Sequence, residues 1–400
     1  MKKMIWGVMF LFLACSKEYP DPLNPDPAVN VTLAGKESTR FGWEVFKQIL
    51  TTSTDDQVLI SPWSITSAMS MALNGANGDT EQNLRQKMFS DVLGSTQEVN
   101  KQMYNLMLAL SQNKGIRLDQ TNGAFYDPDR LNINRNFLDT LETYYRAGEK
   151  ALNFDDPASL STINGWVKDK TQNKIDKILE EIDPLDVMFL INALYFKGDW
   201  QKPFAAEITR PADFFPAQGA TQNVPFMQAD ETLNYRDAAD YQAVELAFKD
   251  TNFVLQVIMP KELELDDFIK GLTATELQTF ITQTFDRGRI ILMLPKFELE
   301  YKITLNDALQ KTGIDLAFNP VKADFSRIGK GTFGNLYISK VEHKTYLKID
   351  EKGAEGAAVT SVGISQTSLP PVFQFNRPFM VTLVHKSSGV LIFIGKVGRI

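Results

Sequence analysis

Cysteine and histidine are almost missing from this chain. Its 400 residues hold one cysteine, Cys15, and two histidines, His343 and His385. A single thiol excludes an internal disulfide, and so few soft ligands leave little from which to build a zinc site. Two histidines also leave little for a triad in which an imidazole must sit beside the nucleophile. No block of lysine or arginine occurs and the net charge is -7, so no nucleic-acid footprint is expected. A local scarcity stands out as well. From Gly353 to Leu369 the only charge is Glu355, and there is no aromatic residue. The remainder is ordinary globular material, 44% apolar and 23% charged, with ample bulk for a large core.

The first thirty residues read as targeting rather than fold. "MKK" supplies a positive start, and "MIWGVMFLFLA" is an apolar run too short to span a bilayer but suited to a signal peptide. It ends in "FLAC", which resembles a bacterial lipobox. That resemblance implies a signal peptide of residues 1–14, cleavage before Cys15 and lipidation of Cys15. The alternative is an ordinary signal peptide with an incidental cysteine. Residues 16–30 follow with Pro20, Pro22, Pro25 and Pro27, too dense for a helix or a sheet interior, so they are expected to form an extended tether. A single domain is expected over residues 31–400, held at the bacterial cell envelope and facing the periplasm or the cell surface.

Helical spacing is clearest early. "STRFGWEVFKQIL" places Phe41, Val45, Phe46 and Leu50 on one face. "SPWSITSAMSMALNGANGDT" opens with Ser61 as N-cap and Pro62 at the first helical position, and Gly75 reads as its stop. "NFLDTLETYYRA" and "STINGWVKDKTQNKI" are further amphipathic helices. Strand-like runs dominate later: "DVMFLINALYFKGDW", apolar on both faces, then "GRIILMLPKFELEY" and "NLYISKVEHKTYLKID". Hairpins are expected in "AVELAFKDTNFVLQVIMP", turning near 249–252, and in "PFMVTLVHKSSGVLIFIGKV", turning near 387–389. The fold class is therefore α+β, with a large, mostly antiparallel sheet.

Motifs that would indicate chemistry fall short. "GKGTFG" at 329–334 matches G-x-G-x-x-G but precedes a strand pattern, where a phosphate-binding helix N-terminus is required. It reads as a glycine-rich turn. Neither histidine neighbours a nucleophile elbow, and Asp266-Asp267 reads as a solvated helix start. No enzyme activity, cofactor or metal is expected.

The end of the chain carries the functional signal. "IDEKGAEGAAVTS", "PPVFQFNRPFMVTL" and "GVLIFIGKV" resemble the hinge, loop flank and C-terminal strands of the serpins. "LISPWSITSAMSMALNGANGDT", "INALYFKGDWQKPF" and "LPKFELEYKITLNDALQKTGI" resemble other long motifs of that family, in order, over residues 40–400. The resemblance implies a serpin fold with a large central sheet, two further sheets and about nine helices. It also implies a monomer that presents residues 351–371 as bait to proteases and then inserts the cleaved loop into its own sheet. Loop insertion of this kind is a known serpin instance of adding a strand to a sheet.

Alternation along a strand divides that loop into two faces. Ala354, Gly356, Ala358, Thr360, Val362 and Ile364 are small or apolar and would turn inward; Glu355, Ala357, Val359, Ser361 and Gly363 would turn outward. No proline interrupts the run before Pro370. The hinge set implied is Glu351, Gly353, Ala354, Glu355, Gly356, Ala357, Ala358, Val359 and Thr360. Gly356 and Val359 depart from the alanines usual in the family. The resemblance places the cleaved bond at Thr367–Ser368, with Gln366 and Ile364 as alternative cut sites. Thr367 suits elastase-like or subtilisin-like serine proteases, with papain-like cysteine proteases as a further class. It also implies a gate of Lys296 and Trp200 beneath the hinge, and a polar cluster of Ser61, Ser64, Asn192 and His343 beneath the sheet. Competing readings are a non-inhibitory serpin acting as a carrier, a solute-binding lipoprotein and a hydrolase.

Overall fold

The structure, a computed structural model, describes residues 31–354 and 370–400. Cys15, the loop residues Glu355, Gly356, Ala357, Ala358, Val359, Thr360 and Ile364, and Gln366, Thr367 and Ser368 at the cut lie outside the described residues. Nine α-helices occur among the described residues, together with four β-ladders, giving the α+β class.

The helix Val31–Thr52 buries Phe41, Val45, Phe46 and Leu50 along one face. The next helix, Pro62–Gly75, lies almost wholly inside, which explains why it shows no polar stripe. Ser61 caps it, its hydroxyl accepting from the Ser64 backbone N–H at 3.1 Å. Gly75 ends the helix for a reason other than the left-handed turn its position predicts. The following residue, Ala76, is extended with φ of -76°, and a Cβ on Gly75 would lie 2.2 Å from the Ile328 side chain. Close packing, rather than backbone freedom, requires glycine there.

The largest ladder has nine strands. It includes both expected hairpins, Tyr241–Ala247 with Phe253–Pro260 and Phe379–His385 with Val390–Val397. "GRIILMLPKFELEY" divides at Lys296 into Asp286–Pro295, which joins this ladder, and Phe297–Thr304, which joins another. "NLYISKVEHKTYLKID" is a strand only over Glu342–Ile349. Its first half bonds instead to a loop and two short helices: Asn335 Nδ2 donates to Ala323 O, the Ile338 N–H to Ala317 O and the Val341 N–H to Asn306 Oδ1. "GKGTFG" contributes the short strand Gly329–Gly331, paired with Leu131–Ile133.

The strand Met188–Asp199 is apolar on both faces because both are covered. Leu190, Leu194 and Phe196 meet the main core, while Phe189 and Ile191 pack with Ile163 and Val167 of the helix Pro157–Lys170. It forms a four-stranded ladder in the order Gly353–Ala354, Met188–Asp199, Ile116–Tyr126, Gly148–Ala151. Glu342–Ile349 pairs separately with Phe297–Thr304. No ladder joins Met188–Asp199 to Glu342–Ile349 among the described residues. Among the described residues the two ladders therefore face one another across a seam, capped at one end by Gly353–Ala354.

Removing the cap at the base of that seam should be measurable. Ser61→Ala should lower stability by about 1 kcal/mol, read from the urea midpoint; an unchanged midpoint would show that the hydroxyl contributes nothing to the helix start.

Candidate functional site

The seam has a gate at one end and a cavity at the other. At the gate the chain leaves Glu342–Ile349, turns through residues 350–352 and reverses. Asp350 and Gly353 close this turn with hydrogen bonds of 3.0 and 3.2 Å between their backbones. Gly353 and Ala354 then pair antiparallel with Asp199 and Gly198. Gly353 has φ of +141°, and a Cβ there would stand 2.1 Å from the Gly198 carbonyl oxygen. Only glycine fits so close a backbone approach. Ala354 is 2% exposed and belongs to the main core, so the first inward residue of the loop already faces the interior.

Three contacts hold the turn. Trp200 is buried, stacks on Phe248 at 4.5 Å and donates its indole N–H to Asp350 O at 2.9 Å. The Trp200 backbone N–H donates to Lys352 O at 2.8 Å. The Glu351 carboxylate accepts from Thr209 Oγ1 at 2.9 Å and from Lys296 Nζ at 3.2 Å. Burial pushes the Glu351 carboxyl up, but its own backbone N–H, the Thr209 hydroxyl and the Lys296 ammonium outweigh that and hold it below the usual carboxylate value. Lys296 occupies the single residue between two strands, and its backbone N–H donates to Pro225 O at 3.0 Å.

The cavity lies lower in the seam and measures about 150 Å³. Met188, Leu190 and Asn192 line one side, His343 and Lys344 the other, and Ser64, Ile65 and Met69 the floor. His343 Nε2 accepts from the Ser61 backbone N–H at 3.0 Å. Burial alone lowers the His343 pKa to about 3, so the ring is neutral at pH 7. Asn192 does not bridge to His343. Its Nδ2 donates to Asn122 Oδ1 at 2.7 Å, and Asn122 Nδ2 donates to Tyr145 O at 2.6 Å. Asn192 Oδ1 is buried without a hydrogen-bond partner, an unsatisfied acceptor on a cavity wall.

Ser64, Asn192 and His343 thus line one cavity, Ser61 joins them through its contacts with Ser64 and His343, and Lys296 and Trp200 both meet the 350–352 turn. Sequence reasoning missed Thr209, Asn122, Asp350 and Phe248. The first of these lies 142 residues from the glutamate it contacts, and no local pattern announces a lone threonine. Among the described residues no group of His, Cys, Asp or Glu could hold a metal ion, and no helix is long and apolar enough to cross a membrane.

A family model described as serpin, serine protease inhibitor, matches residues 36–400. Human antithrombin-III is 32% identical over 91% of this chain and 81% of its own length, and bovine serpin A3-2 is 32% identical over 92% and 89%. Among solved structures, the thermophilic serpin tengpin in its native state superposes with a TM-score of 0.83 at 34% identity, covering 91% of this chain and 94% of tengpin. Human thyroxine-binding globulin complexed with thyroxine gives 0.84 at 25% identity, covering 92% and 99%. The chain belongs to the serpin family and has the serpin fold.

Two outcomes test the site. Gly353→Ala should expel the Gly353–Ala354 strand and change Trp200 fluorescence, since Trp200 holds that turn; an unaltered spectrum with intact folding would count against the gate. For the buried histidine the folded pKa lies below its ordinary 6.5. The unfolded chain therefore binds the extra proton first, and His343 favours the native state above pH 6.5, a contribution lost as pH falls towards 3. His343→Gln should flatten the decline of the thermal midpoint over that window relative to the parent protein.

Proposed function

We propose that this serpin is an inhibitor consumed by its target, a serine protease with a shallow, uncharged specificity pocket of the elastase or subtilisin kind. The observation that carries the reading is the open seam, already entered by Gly353 and Ala354. Their register sets the remaining pairings, because each step forward in the loop is one step back along Met188–Asp199. Gly356 would then face Phe196, Ala358 would face Leu194, Thr360 would face Asn192, Val362 would face Leu190 and Ile364 would face Met188. These partners lie on the core face of the strand, and Met188, Leu190 and Asn192 line the cavity. Thr360 would bring a hydroxyl donor to Asn192 Oδ1, the acceptor that has no partner.

The chemistry proceeds from that geometry. The protease serine Oγ attacks the Thr367 carbonyl carbon and gives its proton to the protease histidine. The C–N bond to Ser368 breaks, and the Ser368 nitrogen leaves with that proton. Thr367 remains as an ester on the protease, which water would ordinarily hydrolyse. Once cut, the loop is free to complete the seam. About twelve added residues, at roughly 0.5–1.5 kcal/mol net per hydrogen bond, release on the order of 10 kcal/mol. About sixteen residues at roughly 3.3 Å each span some 50 Å, enough to drag the esterified protease across the domain before water reaches the ester. The uncut protein is then held by a kinetic barrier, to which the Lys296–Glu351 pair and the Trp200 contacts contribute.

Cys15 is proposed as a lipid anchor that holds the inhibitor at a bacterial envelope through the proline-rich tether, and the inhibitor acts as a monomer. A hydrolase role finds little support around His385: Ser388 Oγ, 2.8 Å from Nδ1, is fully buried, Ser387 Oγ stands 3.4 Å from Nε2, and both ring nitrogens face serine hydroxyls rather than an orienting carboxylate. The carrier reading rests on the likeness to thyroxine-binding globulin. It predicts a cut loop without a trapped protease.

Full-length protein in mild detergent, mixed with pancreatic elastase or subtilisin, should give a band that survives denaturant, with a released peptide beginning at Ser368. Cleavage with no stable band and no loss of protease activity would overturn the inhibitor reading in favour of the carrier. Thr360→Arg places a charge where the register demands an inward residue. It should abolish the stable band and leave a cleaved substrate, measured as a stoichiometry rising at least about tenfold, a difference of about 1.4 kcal/mol or more between insertion and hydrolysis.

A further inference from the structure

The cavity low in the seam carries two polar atoms that the folded chain leaves without a partner. His343 Nε2 accepts from the Ser61 backbone N–H, a group that can only donate. That nitrogen is therefore bare, and the ring proton sits on Nδ1. Nδ1 donates to nothing among the described residues. On the opposite side of the cavity, Asn192 Oδ1 is a buried acceptor with no partner. Buried polar groups in native proteins are nearly always satisfied. A donor and an acceptor left over on facing walls of one cavity therefore call for a molecule that serves both.

The shape and lining narrow the choice. Ile65, Met69, Met188 and Leu190 line the same cavity, whose volume is about 150 Å³. An apolar cavity of that size holds a benzene ring, and thioethers make favourable contacts with aromatic rings. A charged molecule would lose its hydration among such side chains, so a neutral one is required. A hydroxyl is the smallest group that donates and accepts at once. We infer that this cavity binds a small phenol, whose hydroxyl donates to Asn192 Oδ1 and accepts from His343 Nδ1–H while its ring lies among Ile65, Met69, Met188 and Leu190. The consequence for activity rests on the inhibitor reading above. The strand register assigns this space to Thr360, opposite Asn192, and to Val362, opposite Leu190. A bound phenol therefore stops strand addition beyond Ala358. Water then hydrolyses the ester on the protease, and the serpin is cut as a plain substrate.

Calorimetric titration of the full-length protein in mild detergent, corrected by titration into detergent alone, compares phenol with toluene, its near isostere without the hydroxyl. Phenol should saturate at one molecule per chain and bind about tenfold tighter than toluene. Equal affinities would overturn recognition of the hydroxyl. Heat that never saturates would overturn the site and leave both atoms to water. Asn192→Leu keeps the bulk and removes the acceptor, so it should weaken phenol by the same factor and leave toluene unchanged. A folded variant that binds phenol as the parent does would place the phenol elsewhere and overturn the assignment. If the variant does not fold, the ratio of phenol to toluene in the parent decides. Pancreatic elastase then reads the consequence. At a phenol level that leaves elastase itself fully active on a small substrate, the stoichiometry of inhibition should rise about tenfold, with the loop still cleaved. An unchanged stoichiometry under saturating phenol would overturn the block on insertion. A parent that forms no stable band even without phenol would sink the inhibitor reading, whereas the binding site stands or falls on the calorimetry alone.

Discussion

Everything distinctive in this molecule depends on two strands that run side by side without a ladder between them. Apart from the short Gly353–Ala354 pairing with Asp199 and Gly198, Met188–Asp199 and Glu342–Ile349 each pair on their outer side only. An unpaired strand edge is normally a hazard that proteins blunt or cover. Here two such edges face one another inside the domain, and the space between them suits one more strand running antiparallel to Met188–Asp199. The reversal at residues 350–352 starts that strand in the required direction. The native fold is therefore stable locally almost everywhere and incomplete at one seam.

The seam is guarded by contacts of different strength. At the gate, the ion pair of Lys296 and Glu351 is partly solvated, and such pairs contribute little by themselves. The Thr209 hydroxyl and the stacked Trp200 add direction and bulk, so the turn is fixed by several modest interactions together. At the cavity the opposite principle holds. His343 is neutral because burial makes its charge too expensive, and Asn192 leaves one acceptor unsatisfied.

The geometry also separates two problems that the proposed inhibitor must solve. Recognition belongs to the loop, where small uncharged residues around Thr367 would set which protease cuts. Retention belongs to the body, where the length of Met188–Asp199 would set where the protease stops. The two surfaces share no residue, so specificity and complex lifetime can vary independently.

The sequence by itself determined the features that repeat over a few residues. The buried face of Val31–Thr52, the Ser61 cap, both C-terminal hairpins and the small, alternating hinge are all written in local spacing, because side-chain periodicity is set by neighbours along the backbone. Long motifs also made the family legible, and through it the pairing partners Lys296 and Glu351. Local spacing failed where a segment bonds to distant short helices, as at residues 335–341, which read as strand but give backbone donors to Ala317 and Asn306. It misread Gly75 for a similar reason, since the side chain that requires glycine there is Ile328. Only the tertiary structure decided that a seam separates the two central ladders, that Asn192 turns to Asn122 rather than His343, and that Thr209 reaches Glu351. Each joins residues far apart in the chain, and such contacts exist only once the whole core has brought their strands together.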